Sequence, residues 1–376
     1  MVENRLVFRG RDYLNVGEQP LAGSTLRNWV KLLAENKFDI DWQFIPRALY
    51  VSLMILVLSP FRFKESLKYD KKLSSVKVKK PIFIIGHWRS GTTFLHYLMG
   101  QDPNLAYVST FATMAPSMIL EYEDMFKPIV HTHLPSKRPM DDLEMKTDLP
   151  YEEEYAIANL SPYSFHHAWY FPRRWREYFD RYVLFKNVSD EIKENWKKVY
   201  LYFLRKISYK YNGKPILLKS LVNTARIPLL LELFPDARFI FISRNPYKVY
   251  LSTWKLYKSI IPIFSFQHIF SEKLDEEILY CYKSLFQKYL ADKKLIPEDN
   301  LVEITYEDFV KKPLETVEML YSKLNIEGFK EAKPFFNRYI KAHDGYTPQK
   351  YNIDESIKEK VYREWRFAFE AFGYKP

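Results

Sequence analysis

One stretch, residues 81–100, constrains the fold of this chain more than any other. Its sequence, PIFIIGHWRSGTTFLHYLMG, opens with the apolar run 82–85, whose β-branched and aromatic side chains are typical of a strand buried on both faces. Gly86 and Gly91 bound a loop of four residues, and the apolar residues after the loop recur at helical spacing. The stretch therefore predicts a buried strand, a tight loop and a helix, in that order.

The loop between this strand and helix is a candidate anion site. Backbone N–H groups of the loop and the first helical turn point at one place, and the helix dipole favours negative charge there. Thr92 stands where the nucleotide triphosphatase pattern GxxxxGK[ST] has its lysine, while Arg89 supplies a cation within the loop. This pattern favours phosphate binding without phosphoryl transfer; a glycine turn that merely joins strand to helix is the alternative.

The charge balance of the chain also indicates anionic partners. The 376 residues carry a formal net charge of +11, with a pI near 9.2, which suits a nucleotide or an anionic membrane surface. Nucleic acid is not expected as a partner, because no RNA-binding or zinc-finger signature accompanies the charge. The aromatic content of 17% suits a ligand that is apolar or ring-bearing, or else a large aromatic core.

Cysteine usage and the N-terminus bear on the compartment. Cys281 is the only cysteine, which excludes an intramolecular disulfide framework and fits a reducing environment. The first ten residues lack the basic and apolar regions of a secretory signal. We therefore expect a cytoplasmic protein. We also expect one domain over residues 1–376, with a helical N-terminal extension within it over 1–75.

Four further apolar runs predict the rest of a sheet. Residues 215–219, 238–243 and 301–305 are separated by helical stretches, as in a parallel sheet with crossover helices, and 104–109 is a candidate further strand. The predicted fold is α/β, a P-loop-like parallel sheet flanked by helices, with additional N-terminal and lid helices. Other helices are expected at 114–125, 183–211, 228–233, 313–324 and 354–372.

An apolar run from Ala48 to Leu58 is followed by a basic stretch that reaches Lys80. The run is shorter than the roughly 20 residues that a membrane-spanning helix requires. It is a candidate for peripheral contact with a membrane, at the inner surface, or for the entrance to a site for a lipophilic substrate. A buried packing helix is the alternative.

A second anion site is predicted where the strand 238–243 ends. Arg244 follows it directly, and Ser252 lies in the next helix. Because ligands bind at the carboxyl ends of parallel strands, Arg244 is expected to share a crevice with the loop at Gly86. Two anion sites in one crevice indicate a ligand with two phosphate-bearing ends, and a structural ion pair is the alternative role for Arg244.

Candidates for a general base lie between these two sites in sequence. Glu152 and Glu154 follow Pro150 at a predicted helix start, where acidic residues also simply complement the helix dipole. His166 and His167, within the aromatic-rich segment 159–178, are further candidates, and that segment suits a substrate wall or lid. His131 and His133 lack a third ligand at recognisable spacing, so no metal is expected.

Taken together, these motifs resemble those of sulfotransferases that use 3′-phosphoadenosine 5′-phosphosulfate (PAPS), particularly the bacterial branch with the loop RSGTT. The similarity extends over residues 81–313. It implies that Arg89, Ser90, Gly91, Thr92 and Thr93 bind the 5′-phosphosulfate. It also implies that Arg244 and Ser252, in RNPYKVYLS, bind the 3′-phosphate and that Tyr306, in YEDFVKKPLE, lies near adenine.

The segment that begins at Lys219 departs from the family pattern KSPxH. Leu221 replaces the proline and Asn223 the histidine, so a base must be found elsewhere. The acidic PxExE core of the bacterial proteins is similar to Pro150, Glu152 and Glu154 here.

The resemblance implies metal-independent sulfonyl transfer. Arg89 and Lys219 would stabilise the developing charge, and Glu152, preferred over Glu154, would accept the proton. The expected acceptor is a hydroxyl of a lipophilic small molecule, such as a sterol, lipid or phenol. Transfer to a carbohydrate or peptide, a nucleoside triphosphate enzyme and a non-catalytic protein that binds nucleotide or anionic lipid remain alternatives.

Overall fold

A computed structural model describes residues 5–138, 140, 143–343 and 353–376. Its described residues form one five-stranded parallel sheet in the order β2-β3-β1-β4-β5. The strands are β1 (Ile82–Gly86), β2 (Ala106–Tyr107), β3 (Ile216–Lys219), β4 (Arg238–Ser243) and β5 (Leu301–Thr305).

Helices surround this sheet and make up most of the described chain. They are α1 (Gly10–Leu14), α2 (Leu26–Glu35), α3 (Ile45–Leu73), α4 (Thr92–Met99), α5 (Thr110–Met114), α6 (Glu123–His133), α7 (Glu154–Leu160), α8 (His167–Tyr170), α9 (Trp175–Tyr182), α10 (Asp190–Lys210), α11 (Ile227–Leu233), α12 (Pro246–Phe264), α13 (Ser271–Asp292), α14 (Tyr306–Lys311), α15 (Pro313–Lys323), α16 (Phe329–Ala342) and α17 (Glu355–Phe372).

The central strand β1 is covered on both faces, as its uninterrupted apolar sequence predicts. Its alternate residues Phe83 and Ile85 pack in one buried cluster with aromatic and aliphatic side chains of α10, α12 and α13. Ile82 and Ile84 pack in a second cluster with α4, α14 and α15. Because successive strand side chains point to opposite faces, one apolar run supplies both cores.

The predicted fold class is confirmed, and the strands lie where the sequence predicted them. Gly86 pairs with Ile242, and Ser243 pairs with Thr305. The carboxyl ends of β1, β4 and β5 therefore meet at one edge of the sheet. Parallel sheets leave their binding crevice at this edge, so the loops that follow these strands face one another.

Among the described residues, one predicted helix is absent, and another begins later than predicted. Residues 114–125 do not form a helix: α5 ends at Met114 and α6 begins only at Glu123. Pro116 accounts for the break, because it disfavours helical backbone at Ala115, whose φ is −130° and ψ is 54°. The helix predicted over 183–211 is α10, which begins seven residues later, after Ser189.

The apolar run 48–58 is the middle of α3, a helix of 29 residues. By length and composition alone, the segment Trp42–Leu73 could cross a membrane, with a mean hydropathy of 1.7 over its most apolar window. The expectation that this segment is too short therefore does not hold for the helix as a whole. The helix buries one face against the protein and leaves the opposite face exposed.

Candidate active site

The candidate anion loop begins at Gly86, whose backbone conformation requires glycine and whose N–H and C=O groups both hydrogen-bond to Thr224. Gly86 has φ +149°, and a Cβ there would lie 2.5 Å from the carbonyl oxygen of Ile242. Thr224 Oγ1 accepts from Gly86 N at 2.8 Å and donates to Gly86 O at 2.7 Å. The loop that follows is therefore fixed to the sheet at its start.

Gly91 ends the loop, and only a glycine fits its position. It caps α4 with φ +86°, and a Cβ there would lie 2.2 Å from the Tyr306 ring. No side chain of the described chain caps the helix at this position, so its first N–H groups face the crevice. The Tyr306 ring, in turn, packs under the Arg244 guanidinium, 4.2 Å from the ring centroid.

The two predicted anion sites are joined by direct contacts. Arg89, with φ +72°, donates from Nε to Ser252 Oγ at 2.8 Å. Arg244 Nη1 donates to the carbonyl oxygen of Arg89 at 2.7 Å. The structure thus brings Arg89, Arg244, Ser252 and Tyr306 to one crevice, although they are up to 217 residues apart in sequence.

Buried polar atoms in this crevice fit a phosphate-bearing ligand. Ser90 Oγ and Arg244 Nε are buried and form no hydrogen bond within the described part of the chain. Hydrogen-bonding groups are seldom left unsatisfied in the interior of a protein. Together with the uncapped first turn of α4, these donors match the phosphate ends of a nucleotide.

Arg138 is a further cation of the site that the sequence analysis did not single out. Its Nη1 donates to Thr93 Oγ1 at 2.9 Å, in the first turn of α4. The residue is buried and lines the crevice beside Arg89 and Glu152. Little in the sequence indicated that Arg138 belongs to the site, because it lies in a polar segment without the periodicity of a strand or helix that would place it near the loop.

Glu152 and Lys219 form a buried ion pair at the crevice. Lys219 Nζ lies 2.5 Å from Glu152 Oε1. Burial lowers the pKa of Lys219, an effect that Glu152 opposes and Arg138 reinforces. Glu152 Oε2 accepts no hydrogen bond from the described residues and lies 3.9 Å from His166 Nε2.

Glu154 lies in a different environment from Glu152. Its carboxylate is fully buried, with Oε2 2.6 Å from Arg226 Nη1 and Oε1 accepting from Ser164 Oγ and Phe165 N. Glu154 lines neither the crevice nor the neighbouring cavity. These contacts favour a structural role for Glu154 and leave Glu152 as the carboxylate that faces the crevice.

Glu153, which the sequence analysis gave no separate role, is the third buried carboxyl of this segment. It accepts hydrogen bonds from Tyr200 Oη at 2.9 Å and Asn223 Nδ2 at 2.7 Å. Burial raises the pKa of Glu153 to about 7. Asn223, which replaces the family histidine, is thus engaged by Glu153 and Tyr200 and does not line the crevice.

The two candidate histidines are both fully buried. Burial lowers the pKa of His167 to about 4, and its ring nitrogens lie 3.2 and 3.0 Å from the carbonyl oxygens of Pro162 and Ala158. His166 stacks on Trp169, and burial lowers its pKa well below the usual range. Such low pKa values make both rings weak bases near neutral pH.

The histidines considered for a metal lie elsewhere. His131 and His133 are exposed in the last turn of α6, and His133 Nδ1 is 2.8 Å from the carbonyl oxygen of Ile129. Among the described residues, no group of three or more histidine, cysteine, aspartate or glutamate side chains is arranged to hold a metal ion.

An apolar cavity of about 370 Å³ adjoins the crevice. The two share four lining residues, Arg138, Met140, Tyr151 and Tyr155. Beyond these shared residues the cavity is lined by α3, α6 and α12 and by the segments 17–23 and 114–118, and most of the lining side chains are apolar. A polar crevice that fits a phosphate ligand thus adjoins a space suited to an apolar ligand.

These features define a group-transfer site built on a phosphate-binding α/β sheet, and sequence comparison identifies the family. The model described as "Sulfotransferase family" matches residues 81–331. This match spans β1 to β5 and every crevice residue from Arg89 to Tyr306. The chain therefore belongs to the sulfotransferase family, as its motifs predicted.

Individual relatives and solved structures agree with this assignment. The chain is 28% identical over 356 residues to omega-hydroxy-beta-dihydromenaquinone-9 sulfotransferase Stf3 of Mycobacterium tuberculosis, covering 94% of this chain and 90% of the relative. The fold is similar to that of sulfotransferase STF9 from Mycobacterium avium, with a TM-score of 0.65, 17% identity and coverage of 94% and 97%. Sulfotransferase STF1 from Mycobacterium tuberculosis gives a TM-score of 0.59 at 17% identity, with 89% of each chain covered.

Proposed function

We propose that this sulfotransferase transfers a sulfonyl group from PAPS to the hydroxyl of a lipophilic acceptor. The observation that carries the proposal is the wall shared by the cation-lined crevice and the apolar cavity. A donor in the crevice and an acceptor in the cavity would meet at that wall. Glu152 lines the crevice and follows Tyr151, one of the shared residues, in sequence.

The crevice has the groups that a nucleotide with two phosphate ends requires. The loop from Arg89 to Thr93 and the first turn of α4 would hold the 5′-phosphosulfate, as the resemblance implies. Arg244 and Ser252 would hold the 3′-phosphate, and Tyr306 would pack near adenine. When bound, PAPS supplies an activated sulfonyl group, and no metal is required in this scheme.

Three cations are placed to stabilise negative charge at the sulfonyl end. Arg138 lines both the crevice and the cavity, and Lys219 lies behind the crevice wall, paired with Glu152. Arg89 lies between Ser252 and the carbonyl oxygen of Met140, 3.4 Å away. Fixed charges in a water-poor site stabilise a transition state more than the same charges do in water. We assign this role to Arg89, Arg138 and Lys219.

Glu152 is the group best placed to accept the acceptor proton. Its Oε2 accepts no hydrogen bond from the described residues and lies 3.9 Å from His166 Nε2, while its Oε1 is held by Lys219. This arrangement orients the carboxylate toward the crevice, which Glu154 does not reach. We therefore assign Glu152 as the general base and Glu154 as a positioning residue through its pair with Arg226.

The cavity supports an apolar acceptor over a sugar or peptide. Its walls beyond the shared residues are formed by side chains such as Met54, Met118, Phe126 and Ile260, which offer an alcohol contact area but few hydrogen bonds. A carbohydrate would lose hydration there without replacement. The name of the Mycobacterium tuberculosis relative, which specifies an ω-hydroxylated dihydromenaquinone, supports the same acceptor class.

A transfer assay with Glu152→Gln tests the proposal. The purified chain is incubated with PAPS radiolabelled in its sulfonate and with a prenyl alcohol, a sterol, a phenol, a sugar and a tyrosine peptide. We expect transfer to the apolar alcohols, and a decrease in kcat of ~10²- to 10⁴-fold in Glu152→Gln. The affinity for adenosine 3′,5′-bisphosphate, measured by calorimetry, should change little.

The matched control is Glu298→Gln, at an exposed glutamate outside the crevice, which should leave kcat unchanged. Unaltered turnover in Glu152→Gln would remove Glu152 as the base. Transfer only to the sugar or the peptide would refute the lipophilic acceptor. Magnesium-dependent hydrolysis of ATP would favour a nucleoside triphosphate enzyme, against which the absence of lysine after Gly91 argues.

A further inference from the structure

The exposed face of α3 is an apolar stripe along almost the whole helix. The side chains of Ile45, Leu49, Leu53, Leu56, Phe63 and Leu67 are all exposed, between 47% and 70%. They are separated by three, four or seven residues, so they lie on one side of the helix. Exposed contiguous apolar surface of this extent marks a contact with another apolar phase or partner.

The mouth of the apolar cavity opens beside this stripe. Val57 of α3 and Ile129 of α6 line the cavity, yet they are 54% and 53% exposed. Phe61 of α3 packs edge-on against Tyr122 and Phe126, which holds α3 and α6 together at this place. The two helices therefore form an apolar rim through which the cavity reaches the surface.

Lysines border the stripe at its C-terminal end. Lys64, Lys71 and Lys72 are exposed, and Lys71 continues the helical side on which Leu67 lies. Lys68 is also exposed there and pairs with Glu121 at 2.5 Å. An apolar face bordered by lysines is complementary to the acyl chains and headgroups of an anionic bilayer.

Contacts on the opposite face of α3 hold the helix against the protein at three levels. Arg47 donates to the carbonyl oxygen of Pro262 at 3.0 Å, and Arg62 donates to that of Ala22 at 3.0 Å. Glu65 forms a fully buried pair with Lys206 at 2.6 Å. A helix that crossed a bilayer would have to break these contacts and leave buried charges unpaired, so α3 can meet a membrane only lengthwise.

We infer that this sulfotransferase docks on an anionic membrane surface through the α3 stripe, with the cavity mouth against the bilayer. The delivery part of the inference rests on the proposed function: a lipophilic acceptor would pass from the bilayer between Val57 and Ile129 into the cavity. The docking part depends only on the stripe and its lysines.

Vesicle binding and transfer assays with a triple variant test both parts. Leu49→Gln/Leu53→Gln/Leu56→Gln changes three exposed side chains of the stripe, none of which lines the cavity. The control is Phe270→Gln/Leu295→Gln/Phe335→Gln, at exposed apolar residues outside α3. Circular dichroism and the melting temperature are measured to check that both variants are folded.

Cosedimentation with vesicles decides the docking. On vesicles of phosphatidylglycerol and phosphatidylcholine, we expect the stripe variant to bind at least tenfold more weakly than the wild type and the control. Wild-type binding should weaken on pure phosphatidylcholine and in Lys64→Gln/Lys71→Gln/Lys72→Gln. Equal binding by the stripe variant would overturn the inference. A wild-type dimer that the stripe variant abolishes, or wild-type protein that resists extraction from vesicles at alkaline pH, would also overturn it.

Transfer to two forms of the acceptor decides the delivery. For a long-chain alcohol held in vesicles, we expect the stripe variant to lose at least tenfold in kcat/KM, whereas transfer to a water-soluble short-chain alcohol stays unchanged. An equal loss with both alcohols would overturn delivery from the membrane. If the wild type transfers to neither alcohol but still binds vesicles through the stripe, the proposed function fails while the docking stands.

Discussion

The buried carboxyl of Glu153 gives a quantitative prediction for the substitution Glu153→Gln. Glutamine keeps the shape of the protonated acid and an oxygen that can accept from Tyr200 and Asn223, but it has no proton to lose. Glu153 itself is completely buried beside two other carboxyls, Glu152 and Glu154, and among the described residues no cation is hydrogen-bonded to it. The substitution therefore removes one titratable carboxyl group and leaves the packing intact.

The magnitude follows from the pKa of this group. Burial raises the pKa of Glu153 from 4.5 to about 7, so the folded state holds its proton more tightly than the unfolded state does. Stability from this group is fully present below pH 4.5 and is lost as the pH rises to 7. At ~1.4 kcal/mol for each unit of pH, the wild type loses about 3 kcal/mol that Glu153→Gln retains.

Urea unfolding at several pH values, followed by tryptophan fluorescence, measures this difference. The free energy of unfolding of Glu153→Gln relative to the wild type should increase by about 3 kcal/mol between pH 4.5 and pH 8. Glu298→Gln, at an exposed carboxyl, is the control and should show no such trend. A difference that stays constant with pH would refute the assignment of a raised pKa to Glu153.

Two further predictions concern the loop and the buried ion pair. Gly91→Ala should weaken binding of adenosine 3′,5′-bisphosphate at least tenfold by calorimetry, because its Cβ would meet the Tyr306 ring at 2.2 Å; Gly213→Ala, with φ +75° but no atom within 4 Å, is the matched control and should bind normally. Arg226→Met should lower the free energy of unfolding by about 3–5 kcal/mol, because it leaves Glu154 charged, buried and without its partner. The double variant Arg226→Met/Glu154→Gln should recover part of this loss in the same urea experiment, and no recovery would contradict the pairing.

The sheet was predictable because each strand carries its signal locally. The runs at β1, β3 and β4 have apolar centres that are buried on both faces. The run at β5, an edge strand, is only partly buried and carries the exposed Glu303. The break between α5 and α6 was missed although Pro116 was visible, because the apolar spacing on either side of it continues at a helical period. The local effect of Pro116 on the backbone of Ala115 outweighed that spacing.

The position of the loop 86–93 at the crevice was predictable for a different reason. A loop such as 86–93 brings its own N–H groups and its own cation, so its chemistry can be read from adjacent residues. The separation of Glu152 from Glu154 could not be read in this way. Both residues lie at the same helix start. Their different positions depend on partners distant in sequence: Glu152 pairs with Lys219 at the crevice, whereas Glu154 pairs with Arg226 in the interior.

The sites proposed for the donor and the acceptor are formed by different kinds of secondary-structure element. The donor crevice is formed by loops at the end of a rigid sheet, where Thr224 fixes Gly86 and Tyr306 packs on Gly91. The apolar cavity is formed by side chains of α3, α6 and α12 together with the segments 17–23 and 114–118, outside the sheet. Helix α3 also precedes the part of the chain that the family model matches. Changes in α3 can therefore alter the size or the entrance of the cavity while the contacts that hold the phosphate loop stay as they are. For the proposed function, this separation means that acceptor preference and membrane contact are set together by α3, whereas the donor is set by the loop 86–93.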